Sequence, residues 1–196
     1  MVVPHLQDHV REFCYSWFMD KIQPCKILDI GHEKSGLSAW MASLGYDVTA
    51  CERDATCTDK QLEWQQTFKS KVNLYCGEFL DVKDKFDVIL SVFALKHNAY
   101  DDNDIKCYKH CAELLNPGGK IFIAHEYQQS GPWIHKGRTD GDMYVYSDQE
   151  IQDRLIKPIS EVVSVKNIDI QYMSWARQSW WCDKASARAA FIGIEI

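Results

Sequence analysis

The segment from Lys26 to Asp54 constrains the fold more than any other part of this chain. A short apolar run, Ile27-Leu28-Asp29-Ile30, meets a loop of small and polar residues, then a helical pattern, then a second apolar run ending in Cys51-Glu52. Leu37, Trp40, Met41 and Leu44 stand at i, i+3, i+4 and i+7 and share one helix face, and Gly45 ends the helix. Asp47 to Cys51 alternates too little for a half-exposed strand, so it reads as one covered on both sides, as in a parallel sheet flanked by helices. Glu52 follows at the carboxyl end of that strand. In a doubly wound sheet ligands bind at that edge, where an acid accepts hydrogen bonds from ribose hydroxyls. The order strand, loop, helix, strand, acid points to a nucleoside-containing cofactor.

The rest of the chain fits one such unit. Its 196 residues suit a single domain, 1–196, and an apolar content of 46% suffices for a core. The net charge of -6, with no long basic run, argues against a general nucleic-acid binder, whose affinity comes from clustered Lys and Arg. No apolar stretch is long enough to span a bilayer, and Met1-Val2-Val3-Pro4-His5 lacks the features of a secretory signal, so a cytoplasmic protein is expected. The eight cysteines are scattered, several inside predicted helices or strands, and read as free thiols rather than disulfides.

Ahead of the first strand, Leu6, Val10, Phe13 and Trp17 fall at helical spacing, giving an amphipathic helix in an N-terminal add-on, residues 1–24, closed before Pro24. After Glu52, Thr58 to Gln61 matches a capping box and predicts a helix to about Phe68, followed by strands near 72–76 and 86–93. Ile105, Tyr108, Ala112 and Leu115 mark a helix that stops at Asn116-Pro117-Gly118-Gly119, and 120–124 is the fifth strand. This alternation is what a parallel sheet with right-handed crossovers requires. Residues 127–146 are polar, aromatic and glycine-containing, and read as an irregular lid rather than a linker. Ser147 to Glu150 is a second capping box, opening a helix that ends by Pro158. Two apolar segments, 161–173 and 187–196, have no helix between them and are expected to pair antiparallel.

This pattern resembles the class I S-adenosylmethionine-dependent methyltransferases over nearly the whole chain. Three stretches carry the likeness. They are Ile27-Leu28-Asp29-Ile30-Gly31-His32-Glu33-Lys34-Ser35-Gly36 with Glu52 beyond it; Gly77-Glu78-Phe79 after the third strand; and Phe86-Asp87-Val88-Ile89-Leu90-Ser91 with Leu114-Leu115-Asn116-Pro117-Gly118-Gly119-Lys120-Ile121. The resemblance implies an α/β, Rossmann-like, doubly wound and mostly parallel seven-stranded sheet with a C-terminal antiparallel strand pair, in three αβα layers. It implies S-adenosylmethionine as cofactor and S-adenosylhomocysteine as product. The loop departs from the family pattern in having Glu33 and Ser35 where further glycines are usual, while Gly31 and a displaced Gly36 remain. Glycine permits close backbone approach and positive φ, so an intact site requires the Glu33 side chain to point away.

By the same resemblance Asp29, Gly31, His32, Glu33 and Ser35 would surround the methionine end of the cofactor, Glu52 and Arg53 the ribose, Glu78 and Phe79 the adenine, and Ser91 would close the site from the fourth strand. Asp29 reads equally as a helix-capping acid, and Glu78-Phe79 as an ordinary turn with a buried aromatic. Methyl transfer needs alignment and exclusion of water more than a strong base. His97 and the pair His125-Glu126, after the fourth and fifth strands, are the candidate catalytic residues, since a histidine near neutral pH can take a proton from a hydroxyl or ammonium acceptor. Each histidine reads also as a structural residue. Tyr100, Trp133, His135, Tyr144 and Tyr146 are candidates for an acceptor pocket with Trp17 closing it, although Trp17 and Phe13 would also serve to pack their helix down. Cys107, His110 and Cys111 lack the second close ligand pair of a structural zinc site, so no metal is expected.

Rival functions fit less well. A nicotinamide-dependent oxidoreductase would want the remaining glycines of Gly-x-Gly-x-x-Gly and would not favour an antiparallel terminal pair. Ser91-Val92-Phe93-Ala94 occupies the place of the Asp/Asn-Pro-Pro-aromatic motif of amino-directed DNA methyltransferases. A catalytically silent binding or regulatory module is the alternative that Glu33 and Ser35 suggest. The expected partner is a small-molecule or protein acceptor, with no nucleic acid and no membrane.

Overall fold

The computed structural model describes residues 9–98, 102–129, 133–135, 143–174 and 188–196, with the backbone alone at 133–135 and 143. The strands are β1 (Lys26–Ile30), β2 (Asp47–Glu52), β3 (Asn73–Cys76), β4 (Phe86–Val92), β5 (Leu115–Tyr127), β6 (Trp133–His135), β7 (Met143–Val145), β8 (Asn167–Ser174) and β9 (Arg188–Glu195). Seven of them form one sheet in the order β3-β2-β1-β4-β5-β9-β8. The first five are parallel, and β9 pairs antiparallel with both β5 and β8. Strand order reverses between β1 and β4, which opens a crevice at their carboxyl ends.

Helices cover both faces. One apolar cluster joins α1 (His9–Met19) and α2 (Leu37–Ser43) to the sheet, with Trp64 and Phe68 of α3 (Thr56–Phe68) packed against it; the other joins α4 (Asn103–Leu114) and the segment around Ile151–Ile159 to the opposite face. The expected three-layer architecture is therefore the observed one. Among the described residues no helix is long and apolar enough to cross a membrane. Val10, Cys14, Tyr15 and Phe18 are the buried residues of α1, a wider stripe than the spacing of Val10, Phe13 and Trp17 alone gives. Fully burying a side chain such as Phe18 contributes about 1.5–3 kcal/mol, enough to hold this short helix on the sheet.

Three local expectations change. Helix α3 starts at Thr56, before the Thr58–Gln61 capping box, because the Asp54 carboxylate accepts from the Thr56 N–H at 2.9 Å and its hydroxyl at 2.8 Å. An ionised acceptor is favoured at a helix N-terminus, and Gln61 is left to turn inward. Strand β5 begins at Leu115 and absorbs Asn116-Pro117-Gly118-Gly119 as a bulge, its register jumping from Phe86↔Leu115 to Val88↔Lys120, with Gly118 at φ +80. The helix opened by Ser147 does not end at Pro158: α5 (Asp148–Glu150) runs through a π-helical turn, Ile151–Ile156, into α6 (Lys157–Ser160). After that widened turn Pro158 sits in the first turn of a new α segment, where its missing N–H is not needed.

The Glu150 carboxylate accepts from the Ser147 N–H at 3.3 Å, as the second capping box requires. The expected C-terminal pairing is also present, as β8 and β9. Of the predicted lid 127–146, Trp133–His135 and Met143–Val145 pair as an antiparallel ribbon, so the segment is not wholly irregular; residues 130–132 and 136–142 lie outside the described part.

Candidate functional site

The loop leaving β1 enters the crevice between β1 and β4. Gly31 has φ +68, and a Cβ there would stand 2.3 Å from the Ala94 Cβ, so only glycine lets the two loops meet. Glu33 has φ +47, the left-handed conformation in which glycine is the usual residue, yet its side chain is exposed. Its N–H donates to Glu52 Oε2 at 3.1 Å, while Glu52 Oε1 accepts from the Asp54 N–H at 3.2 Å. Each carboxylate oxygen keeps lone-pair capacity for a further donor. Asp29 is buried and accepts from the Ser38 hydroxyl at 2.5 Å; burial raises its carboxyl above the usual range. The Ser35 hydroxyl accepts the Leu37 N–H at 3.1 Å, just ahead of α2.

Helix α3 grips this loop from outside, a feature the sequence pattern did not announce. Gln61, wholly buried, donates to the Ser35 carbonyl at 2.5 Å, and its amide nitrogen lies 3.1 Å from His32 Nδ1. The His32 Nδ1 lies 2.8 Å from the Glu33 carbonyl, which can only accept, so the proton of this ring belongs on Nδ1. Trp64 donates from Nε1 to the Lys34 carbonyl at 3.0 Å and lays its ring against Gly36. The signal available in the sequence was a tryptophan one turn beyond a glutamine on an otherwise polar helix.

A cleft of about 120 Å³ opens between this loop and α1, lined among others by Arg11, Tyr15, Asp29, Gly31, Lys34 and Trp64. That is less than the several hundred Å³ of a whole ligand site, so it accounts for one end of an extended molecule. Arg11 and Lys34 set against Asp29 and Glu33 suit a zwitterionic amino-acid group, the carboxylate toward the cations and the ammonium toward the acids. The Tyr15 hydroxyl lies 3.5 Å from that of Ser35, and its pKa is pushed up by burial. Glu52, in register with Cys76 of β3, places a carboxylate farther along the same sheet edge. Arg11 and Tyr15 were missed in the sequence because the pocket role considered for α1 fell on Trp17 and the rest of the helix read as packing.

Other predicted residues fall elsewhere. Arg53 and Glu78 are exposed at strand ends, whereas the Phe79 side chain belongs to the core, its ring 5.1 Å from that of His110. Ser91 is buried and its hydroxyl accepts the Leu95 N–H at 3.3 Å, shaping the turn after β4. Trp17 is a core anchor rather than a pocket wall: its ring packs edge-on to Phe122 at 5.5 Å and tilted to Phe191 at 6.2 Å. Tyr100 and the side chains of Trp133 and His135 lie outside the described residues.

His97 is half-buried on the 3-10 turn Leu95–Asn98. His125 is not placed as a base. It is wholly buried, with Nε2 2.6 Å from the Tyr108 hydroxyl and its ring stacked on Tyr146 at 4.3 Å. Burial, with the nearby charge of Lys96, pushes its pKa down to about 3, so it is neutral and weakly basic near pH 7. Tyr146 likewise belongs to an interior network: its hydroxyl donates to Asp104 Oδ2 at 2.6 Å, and Arg154 holds the same carboxylate from Nε at 2.9 Å and Nη2 at 2.7 Å. Tyr144 is half-buried, with the Arg154 guanidinium 5.3 Å above its ring. Glu126 points to the other face of β5 and forms a buried ion pair with Lys96, a residue not singled out in the sequence.

Comparison with known proteins bears on the family and the fold. Residues 28–123 match the family described as "Methyltransferase domain". The ubiquinone biosynthesis O-methyltransferase of Chelativorans sp. (strain BNC1) is 36% identical over 104 residues, 50% of this chain and 39% of that protein. The chain thus spans about two fifths of the length of the curated relative it matches. The Burkholderia thailandensis 1,6-didemethyltoxoflavin-N1-methyltransferase, solved with 1,6-didemethyltoxoflavin and S-adenosylhomocysteine bound, superposes with a TM-score of 0.78 at 15% identity, covering 96% of this chain and 79% of its own. Coclaurine N-methyltransferase, solved with N-methylheliamine and S-adenosylhomocysteine, gives 0.74 at 12% identity over 99% and 74%.

Proposed function

Since this chain belongs to the class I S-adenosylmethionine-dependent methyltransferases, we propose that it moves a methyl group from S-adenosylmethionine to a small-molecule acceptor. The observation that carries this reading is the backbone of the loop after β1. Gly31 closes against Ala94, and Glu33 takes up a glycine-like φ of +47 while giving its N–H to Glu52, so the unusual side chains do not cost the loop its shape.

Bound in the crevice, S-adenosylmethionine supplies an activated methyl group on a sulfonium. Asp29, Arg11 and Lys34 would hold its amino-acid end, and Glu52 its ribose hydroxyls. Tyr15 and Trp64 line the cleft and would limit the water beside a bound methyl group. The turn after β4, which carries Lys96 and His97, faces the acceptor side of this reading. The relative named above is an O-methyltransferase and the two solved neighbours are N-methyltransferases, so the comparisons leave the acceptor atom open. Calorimetric titration with S-adenosylhomocysteine tests the proposal: binding at one site per chain is expected, and a protein that fails to bind it is not a methyltransferase.

A further inference from the structure

The geometry points to Lys96 and Glu126 as the acceptor subsite, and to a hydroxyl as the group it takes; this rests on the function proposed above. Lys96 stands on the turn after β4 and Glu126 at the end of β5, and their side chains are 7% and 3% exposed. A buried ion pair is weak evidence for stability, because apolar residues of similar volume usually serve as well or better. This pair is also incomplete. Lys96 Nζ donates to Glu126 Oε1, while among the described residues the buried Oε2 has no hydrogen-bond partner. An unpaired buried oxygen calls for a specific explanation.

The pair is linked to the lining of the cleft through one ring. Phe93 lies between them, with Lys96 Nζ 5.4 Å from its ring centroid and the Arg11 guanidinium 5.2 Å from it. Arg11 and Val92, the residue before Phe93, both line the cleft. The charged groups acting on Lys96 are Glu126 from β5, Arg11 from α1 and Glu33 from the loop after β1.

A hydroxyl both donates and accepts, and an ammonium carries three donors. A hydroxyl can therefore give its hydrogen to Glu126 Oε2 while accepting a second N–H of Lys96. An ammonium acceptor could only donate and would meet the charge of Lys96; a carboxylate would meet that of Glu126. In the proton step the acceptor O–H bond breaks, its proton passes to Oε2, and its electron pair remains on the oxygen beside Lys96. Glu126 becomes neutral as the oxygen becomes negative.

The test uses the full chain saturated with S-adenosylhomocysteine and titrated with 4-nitrophenol, following the phenolate absorption band and, by calorimetry in buffers of different ionisation enthalpy, proton release. Wild type should bind the probe with a phenolate band and no proton released, since Glu126 takes it. Glu126→Gln should keep the band and release one proton per probe. Lys96→Met should lose the band and at least tenfold in affinity. Should either single variant fail to fold by circular dichroism, the Lys96→Gln/Glu126→Gln double variant keeps a neutral hydrogen-bonded pair and should bind the probe without the band. A wild type that binds S-adenosylhomocysteine but not 4-nitrophenol, or binds benzylamine more tightly, overturns the subsite. A wild type that does not bind S-adenosylhomocysteine overturns instead the function it rests on.

Discussion

Glu52, at the end of β2, accepts the backbone N–H of Glu33 at 3.1 Å, tying the crevice loop to the neighbouring strand. The function proposed above assigns the ribose hydroxyls to the same carboxylate. Glu52→Ala should weaken S-adenosylhomocysteine binding by about 1–3 kcal/mol, the range for losing a charged acceptor. Calorimetry measures it, and an unchanged affinity would take Glu52 out of the site.

Glu33 holds φ +47 without being glycine. A left-handed conformation costs an ordinary residue about 1–2 kcal/mol, and glycine adds back roughly 0.4–1 kcal/mol of unfolded-state entropy. Glu33→Gly should leave the melting temperature level or slightly higher and should hold or improve cofactor affinity. Abolished binding would instead make the Glu33 side chain a ligand.

Gln61 is wholly buried and supports the loop through the Ser35 carbonyl. Gln61→Leu fills much the same space but leaves that carbonyl without its donor, a loss of about 1–3 kcal/mol. Urea denaturation should show it, together with weaker binding of S-adenosylhomocysteine. Full stability in the variant would mean that the loop holds itself.

His125 makes stability depend on acid. Its folded pKa of about 3 lies below the ordinary 6.5, so between these values the unfolded chain binds the extra proton. The contribution is fully present above about pH 6.5 and is lost as pH falls toward 3, at about 1.4 kcal/mol per pH unit. His125→Phe retains a ring to stack on Tyr146 and should flatten this acid limb in denaturation curves taken at successive pH values. An identical slope in the variant would place its source in other groups.

Much of the fold was legible because the signal was local. The β1 to β2 unit, the capping box at Ser147 and the antiparallel pair at the C-terminus rest on periodicity and caps within a few residues. Where a local signal misled, bonds that the pattern does not rank decided the outcome: the Asp54 carboxylate, bonded to Thr56, sets the start of α3 ahead of Thr58. Of the candidate site, the strand-end residues Asp29, Gly31 and Glu52 were the ones legible as candidates. Whether His125 faces an acceptor or stacks on Tyr146, and whether Trp17 walls a pocket or covers Phe122, depends on residues far apart in the chain. Arg11, Tyr15, Gln61 and Lys96 carry no motif at all: only packing brings Arg11 and Tyr15 of α1 to the cleft, sets Gln61 of α3 behind its loop and pairs Lys96 with Glu126.

The grip of α3 on the crevice loop, through Gln61 and Trp64, means that the loop need not encode its own shape. Its composition can then drift while its backbone stays in place, and a charged side chain such as that of Glu33 can be carried outward without disturbing the bend. Counting glycines in such a loop measures how a chain achieves the bend, and a chain that achieves it from a neighbouring helix will be passed over by any search that looks for glycines alone.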